Sequence, residues 1–191
     1  MIRLRSFAAT LWLACASLLF GLQTVLPTVA VPVAVLGVGT LTPAPTQAQD
    51  MADAWENGII DHLWRGSAYT APSPLYFGLG TAACSDSGFG TEVTGGSYAR
   101  VSVTPNSPNF ANTQNSGTGA SSGTGGQTSN LTAITFPAPT ANWGSVTHFF
   151  VATASTSGKI LVCKALTVAK TVNNGDAAPS FAIGAFTFTL Q

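Results

Sequence analysis

The sequence of 191 residues contains few charged side chains, and this shortage excludes several classes of function. Only 7% of the residues are charged, and the seven basic and seven acidic side chains give a formal net charge of zero. Typical soluble domains carry about 25% charged residues. Binding to nucleic acid or to anionic membranes requires clustered lysine and arginine. We therefore expect no nucleic-acid partner, and a surface that offers little charge repulsion against self-association.

Cysteine and histidine are equally scarce, which excludes a disulfide scaffold and the usual metal sites. The three cysteines are Cys15, Cys84 and Cys163, and the two histidines are His62 and His148. None of them has the spacing of a zinc-binding motif, so we expect no metal and no cofactor. Cys15 lies in an apolar N-terminal segment. For the other two cysteines we favour lone thiols, and a Cys84–Cys163 disulfide is the alternative.

Carboxylates are too few, and too often in turns, to indicate hydrolytic chemistry. A glycosidase needs two carboxyl groups that face each other across a cleft. The candidates are Asp61, Asp86, Glu92 and Asp176. All except Asp61 lie in glycine-rich turns, where acidic residues usually serve turn geometry and solubility. We therefore predict that the protein is not an enzyme and has no catalytic residues.

The first fifty residues form an apolar segment that we interpret separately from the rest of the chain. A short basic start at residues 1–5 precedes residues 7–26, which carry no charge. This arrangement is typical of a signal segment, which would make the protein secreted, or of a membrane anchor, since about 20 apolar residues span a bilayer. A third interpretation is an over-extended gene start, because the sequence from Met51 onward itself resembles the beginning of a protein.

One short helix is predicted at residues 52–65, within an N-terminal element at residues 51–66. Trp55, Ile59 and Leu63 recur at every fourth position and form a single apolar stripe. A lone amphipathic helix must bury such a stripe against a sheet or against a neighbouring subunit. We therefore predict Trp55, Ile59 and Leu63 as a candidate oligomer interface.

Residues 67–191 carry the pattern of a small β domain. Short apolar segments alternate there with glycine, serine and proline turns, and a Gly/Ser/Thr-rich loop is predicted at residues 104–130. Regularly spaced short strands without intervening helices are typical of an antiparallel β-sandwich, here of a jelly-roll-like kind. The predicted strands are residues 75–79, 98–103, 131–136, 146–152, 159–166 and 181–190.

Four separate segments carry a family resemblance. They are RGSAYTAPSPLYFGLGT from Arg65, TEVTGGSYAR from Thr91, ITFPAPTANWGSVTHF from Ile134 and KTVNNGD from Lys170. In this order they resemble the small tail fiber proteins of tailed bacteriophages and prophages, over about residues 51–191.

The resemblance implies a non-enzymatic structural protein of the virion, a tail fiber or tail-associated component. It implies homo-oligomers, with a trimer favoured by analogy with other virion fibres. The expected partners are further copies of the chain and other virion proteins, and a host surface receptor is an additional candidate. Two alternatives stay open: a decoration protein of the phage head or tail, and a secreted bacterial surface protein or adhesin.

Overall fold

The computed structural model describes residues 51–114 and 119–190, which form one helix and eight strands. The interpretations of residues 1–50 concern a segment outside this described part. Within it, no helix has both the length and the apolar character needed to cross a bilayer. The elements are α1 Asp53–Trp64, β1 Leu75–Gly80, β2 Val101–Val103, β3 Gln127–Ser129, β4 Ile134–Thr135, β5 Gly144–Ala152, β6 Ile160–Val172, β7 Ser180–Phe181 and β8 Thr187–Thr189.

Four strands form the central antiparallel sheet, in the order β2-β1-β5-β6. Phe77 of β1 lies opposite Val151 of β5, and Val151 lies opposite Val162 of β6. Directly opposed residues in an antiparallel pair point to the same face, so these side chains form one apolar row across the sheet. All three are buried.

Two short antiparallel strand pairs, β3–β8 and β4–β7, cover this apolar face. The ring of Phe186 lies edge-on to Phe77, with ring centroids 5.2 Å apart, and Phe181 meets Phe149 in the same way at 5.2 Å. The two layers enclose the main hydrophobic cluster. The predicted fold class, mainly antiparallel β in a sandwich-like arrangement with one N-terminal helix, is confirmed.

The opposite face of the sheet carries a disulfide, so the prediction of two lone thiols is wrong. Cys163 of β6 lies opposite Phe150 on this face. The chain after β1 folds back over the sheet and brings the Cα atom of Cys84 to 5.9 Å from that of Cys163, within the range for a disulfide. The two residues are 79 positions apart, and a pairing this distant leaves no local signal in the sequence.

The prediction of a single strand at residues 181–190 is also wrong, because the buried side chain of Asn130 divides it into β7 and β8. Its Nδ2 donates to the carbonyl oxygen of Ala182, and its Oδ1 accepts the backbone N–H of Phe186. The N–H of Gly184 in turn donates to the carbonyl of Asn130. These bonds hold a turn between the two strands, and Gly184 adopts the positive φ of 75° that the turn requires.

Other strands differ from prediction mainly in length. Of the strand predicted at residues 131–136, only β4 is observed, and of the strand predicted at residues 98–103, only β2 is observed. By contrast, β6 extends six residues beyond its predicted end, to Val172. The predicted loop at 104–130 contains β3, a polar strand that pairs with β8. Its residues Gln, Thr and Ser lack the apolar alternation that marks a strand, so backbone pairing alone defines it.

Candidate functional site

The N-terminal end of α1 attaches the helix to the rest of the fold. Ala52, immediately before the helix, is buried, and its N–H donates to the carbonyl of Leu161 on β6 at 2.8 Å. Trp55 then stacks on Phe188 of β8, with ring centroids 6.1 Å apart. These contacts use one face of the helix, since successive residues rotate by about 100° around its axis.

The second half of α1 presents apolar side chains to solvent. Ile60 is 50% exposed, Leu63 67% and Trp64 83%, and these are among the most exposed large apolar residues of the described part of the chain. Residues three and four apart are neighbours on a helix surface, so the three side chains form one patch. We call Ile60, Leu63 and Trp64 the outer patch.

The three residues predicted as an oligomer interface do not lie on one free surface. Trp55 packs into the main cluster, Ile59 is half-buried, and only Leu63 belongs to the outer patch. Sequence reasoning missed Ile60 and Trp64, although they also lie four residues apart. Their spacing predicts a second apolar stripe on α1. When a helix has two apolar stripes, one can pack against the fold while the other contacts a partner.

An apolar cavity of about 250 Å³ lies beside Trp55. Only two of its lining residues are polar, Asn106 and Thr128. Each of the two makes a hydrogen bond within the chain: the Oδ1 of Asn106 accepts the N–H of Asn109, and the Oγ1 of Thr128 donates to the carbonyl of Ala111. The apolar walls include Trp55, Phe77, Phe110, Val162, Phe186 and Phe188.

Arg100 and Glu92 form a bidentate ion pair. The Nε of Arg100 donates to Oε1 of Glu92 at 2.8 Å, and Nη2 donates to Oε2 at 2.7 Å. The remaining Nη1 donates to the carbonyls of Ala154 and Ser157. Only 2% of the Arg100 side chain is exposed, so Glu92 neutralises a nearly buried cation.

Two tyrosines have shifted proton affinities. Burial raises the pKa of Tyr98 far above its ordinary value, a smaller opposing effect comes from the N–H of Leu79, and the negative charge of Glu92 raises it further. The Tyr98 hydroxyl donates to Oε1 of Glu92 at 3.0 Å. Burial also raises the pKa of Tyr69, with a smaller opposite effect from its hydrogen bond with Trp55. In both cases burial disfavours the ionised phenolate.

Two of the three other carboxylates considered from the sequence, Asp61 and Asp176, have structural contacts too. Asp61 forms an exposed ion pair with Arg65 at 2.8 Å, and Oδ2 of Asp176 accepts the N–H of Asn173 in a turn. Among the described residues, no group of three or more His, Cys, Asp or Glu side chains could hold a metal ion.

The histidines have only local contacts. Nδ1 of His62 lies 3.2 Å from the carbonyl oxygen of Ser67, and Nδ1 of His148 lies 2.8 Å from Oγ1 of its neighbour Thr147.

Residues 119–123 read Gly-Ala-Ser-Ser-Gly, which matches the spacing of a hydrolase nucleophile elbow. That motif requires a sharp turn between a strand and a helix. Here the segment is irregular, lies before β3, and the Oγ of Ser121 accepts the N–H of Thr113 at 3.0 Å. The match therefore comes from a Gly/Ser-rich loop and lacks the elbow geometry.

A family model described as Podophage GP4 fiber I protein gp80 matches residues 50–189. The chain belongs to this podophage fiber protein family. The matched residues include α1 and all eight strands, so the outer patch and the apolar cavity of the fiber protein both lie inside the range that the family model covers. A comparison with curated protein sequences found no match.

Proposed function

We propose that the chain is a non-enzymatic structural component of a phage tail, built into the virion as a homo-oligomer through the outer patch of α1. The observation that carries this proposal is the match to a podophage fiber family over residues 50–189. The family membership supports a structural role in the particle, and the surface of α1 supports the way in which copies associate.

The outer patch has the composition of a protein contact. Tryptophan is enriched at the centres of interfaces, and an exposed apolar patch on a soluble protein marks a site of interaction. Next to the patch, Asp61 and Arg65 neutralise each other in their ion pair, so no uncompensated charge from this pair opposes burial. A second copy of the chain can bury this uncharged patch against an apolar surface of its own.

The Cys84–Cys163 disulfide supports the proposal that the protein functions outside the reducing cytoplasm. Disulfides persist in extracellular proteins and on virion surfaces, whereas cytosolic thiols are kept reduced. A tail component meets these oxidising conditions when the particle leaves the host cell.

The contacts of the acidic side chains support the absence of catalysis. Glu92 neutralises Arg100, Asp61 pairs with Arg65, and Asp176 accepts a backbone N–H. Incubation of the protein with polysaccharide from the host surface is expected to release no reducing sugar. Release of reducing sugar at a rate that rises in proportion to the protein concentration would contradict the proposal.

The location in the particle is tested on purified virions. Mass spectrometry is expected to detect the chain in them, and gold-labelled antibodies against it are expected to mark the tail in electron micrographs. Label on the head would instead identify a decoration protein, and absence from washed particles would contradict a virion role altogether.

The assembly is tested by light scattering of the full chain at micromolar concentration. The wild type is expected to be oligomeric, and Leu63→Asp is expected to shift it towards the monomer because a charge would be buried at the contact. Ile183→Asp is the matched control, since Ile183 is also 67% exposed but lies in the turn between β7 and β8. A monomeric wild type, or equal effects of both substitutions, would contradict the proposed contact.

A further inference from the structure

The fiber protein carries an apolar knob and an apolar hole on opposite sides of the same helix. Trp64 is the most exposed large apolar side chain of the described residues, at 83%. The hole is the cavity of about 250 Å³ beside Trp55. Four of its wall residues, Trp55, Phe110, Phe188 and Leu75, are only half-buried, so the cavity is accessible from the surface.

The helix geometry prevents a copy from filling its own hole. Trp55 and Trp64 are nine residues apart, which corresponds to about 14 Å along the axis and to two and a half turns. Their side chains therefore point in opposite directions, Trp55 into the fold and Trp64 away from it. A Trp64 side chain that enters the cavity must therefore come from another copy.

The chemistry of the cavity fits an apolar aromatic occupant. Its walls contain no charged residue, and Asn106 and Thr128, the polar residues among its lining, already make hydrogen bonds within the chain. Insertion of an apolar group into such a cavity is favourable because it removes apolar surface of both partners from water. Tryptophan anchors in desolvated pockets are the commonest centres of binding energy at protein interfaces.

We propose that Trp64 of one copy inserts into the cavity beside Trp55 of the next copy. This inference rests on the proposed function, since it names the surface that receives the outer patch. The contact joins two different surfaces, so it repeats from copy to copy and closes into a ring when the rotation between neighbours permits. A trimeric ring is compatible with such a contact.

Crosslinking between differently tagged copies tests the contact. All proteins carry Cys15→Ser, which leaves the native disulfide as the remaining cysteine pair. One protein carries Ser67→Cys, three residues beyond Trp64, and the other carries Ser107→Cys, next to the cavity residue Asn106. A short reagent that joins two thiols is expected to link the two tagged chains. Thr94→Cys, in an exposed turn, replaces Ser107→Cys as the control and is expected to give no link.

A substitution of the knob provides the second measurement. Trp64→Ala is expected to abolish the link between positions 67 and 107 and to weaken self-association by about thirtyfold, as loss of an interface anchor does. Trp64→Phe keeps an aromatic ring and is expected to retain part of the association. Because Trp64 is exposed in the single chain, the circular dichroism of both variants should match that of the wild type and show that the fold is intact.

The outcomes separate this inference from the proposed function. If the wild type is oligomeric but positions 67 and 107 do not link, or link equally well with Trp64→Ala, the knob-and-hole contact is overturned while homo-oligomeric assembly stands. If the wild type is monomeric at micromolar concentration, the assembly itself fails.

Discussion

The two faces of the central sheet are covered by different means. On one face, the aromatic rings of Phe110, Phe181 and Phe186 pack against Phe77 and Phe149. On the other face, the loop at residues 81–90 lies over Phe150, and a disulfide and the Arg100 ion pair hold the chain there. The Arg100 guanidinium lies 4.5 Å from the ring centre of Phe89 and 4.9 Å from that of Phe150.

The difference follows from the residues that each covering layer offers. The layer over Phe77 comes from several segments that each carry an aromatic side chain, so apolar burial alone can hold it. The loop at residues 81–90 reads Thr-Ala-Ala-Cys-Ser-Asp-Ser-Gly-Phe-Gly, with one large apolar side chain. A loop this poor in apolar surface gains little from burial, and the covalent bond and the buried ion pair compensate. The comparison predicts that the first face depends on packing and the second on specific bonds.

The largest expected effect is loss of packing on the first face. Phe77 has no exposed surface and contacts Phe110 and Phe186. Phe77→Ala is expected to lower the free energy of unfolding by about 4 kcal/mol, as removal of a buried phenylalanine does. Urea unfolding followed by circular dichroism measures it. The control Leu131→Ala, at a site that is 36% exposed, should cost much less. Equal losses of unfolding free energy in the two variants would contradict the conclusion that this face forms the core.

Removal of the disulfide tests the second face. The double substitution Cys84→Ala and Cys163→Ala is expected to lower the free energy of unfolding by about 3 kcal/mol, mainly because the unfolded chain is no longer closed into a loop. The loop at residues 81–90 should exchange its amide hydrogens faster, while the amides of β4 and β7 stay protected. Equal deprotection of both faces would show that the disulfide supports the whole fold rather than this loop.

Sequence reasoning predicted the first face better than the second, for a physical reason. The central strands β1 and β5 and the helix follow apolar periodicity, which a single sequence displays. The second face depends on pairings between distant residues, Cys84 with Cys163 and Glu92 with Arg100, and periodicity does not encode them. Asn130 is a similar case, since its buried amide divides the last predicted strand.

The candidate site was predicted in part for the same reason. A stripe of every fourth residue correctly placed an apolar face on α1, but it does not tell which of two stripes faces the fold. That choice depends on where β8 and the cavity lie. Trp55 therefore proved to be an anchor of the helix, and Trp64 proved to be exposed.

Loss of the ion pair is a smaller perturbation of the second face. Glu92→Gln leaves the nearly buried guanidinium of Arg100 without its carboxylate. Removal of one partner of a fully buried pair costs about 3 to 5 kcal/mol. Because a quarter of the Glu92 side chain is exposed and Arg100 keeps its two carbonyl partners, we expect about 2 kcal/mol. Asp61→Asn breaks the exposed pair with Arg65 and should change stability by no more than about 0.5 kcal/mol. A cost of Glu92→Gln as small as this control would mean that the guanidinium is hydrated.

The smallest expected effect is a loss of stability at alkaline pH through ionisation of Tyr98. The Tyr98 hydroxyl connects the two faces, since it accepts the N–H of Leu79 and donates to Glu92. Burial raises the pKa of Tyr98 in the folded protein, whereas the unfolded chain ionises near the ordinary value of about 10. Above about pH 10 the unfolded state therefore binds fewer protons than the folded state, and stability falls as pH rises. The loss from this group is at most about 1.4 kcal/mol per pH unit.

Tyr98→Phe isolates this contribution. The variant is expected to lose about 1 kcal/mol near neutral pH, because its hydrogen bonds are gone, and to show a shallower decline between about pH 10 and about pH 11. Urea midpoints of wild type and variant across this range measure the two slopes. Parallel declines would show that Tyr98 ionises in the folded protein as readily as in the unfolded chain. Water would then reach the Tyr98 hydroxyl, and the network of Tyr98, Glu92 and Arg100 would be solvated rather than buried.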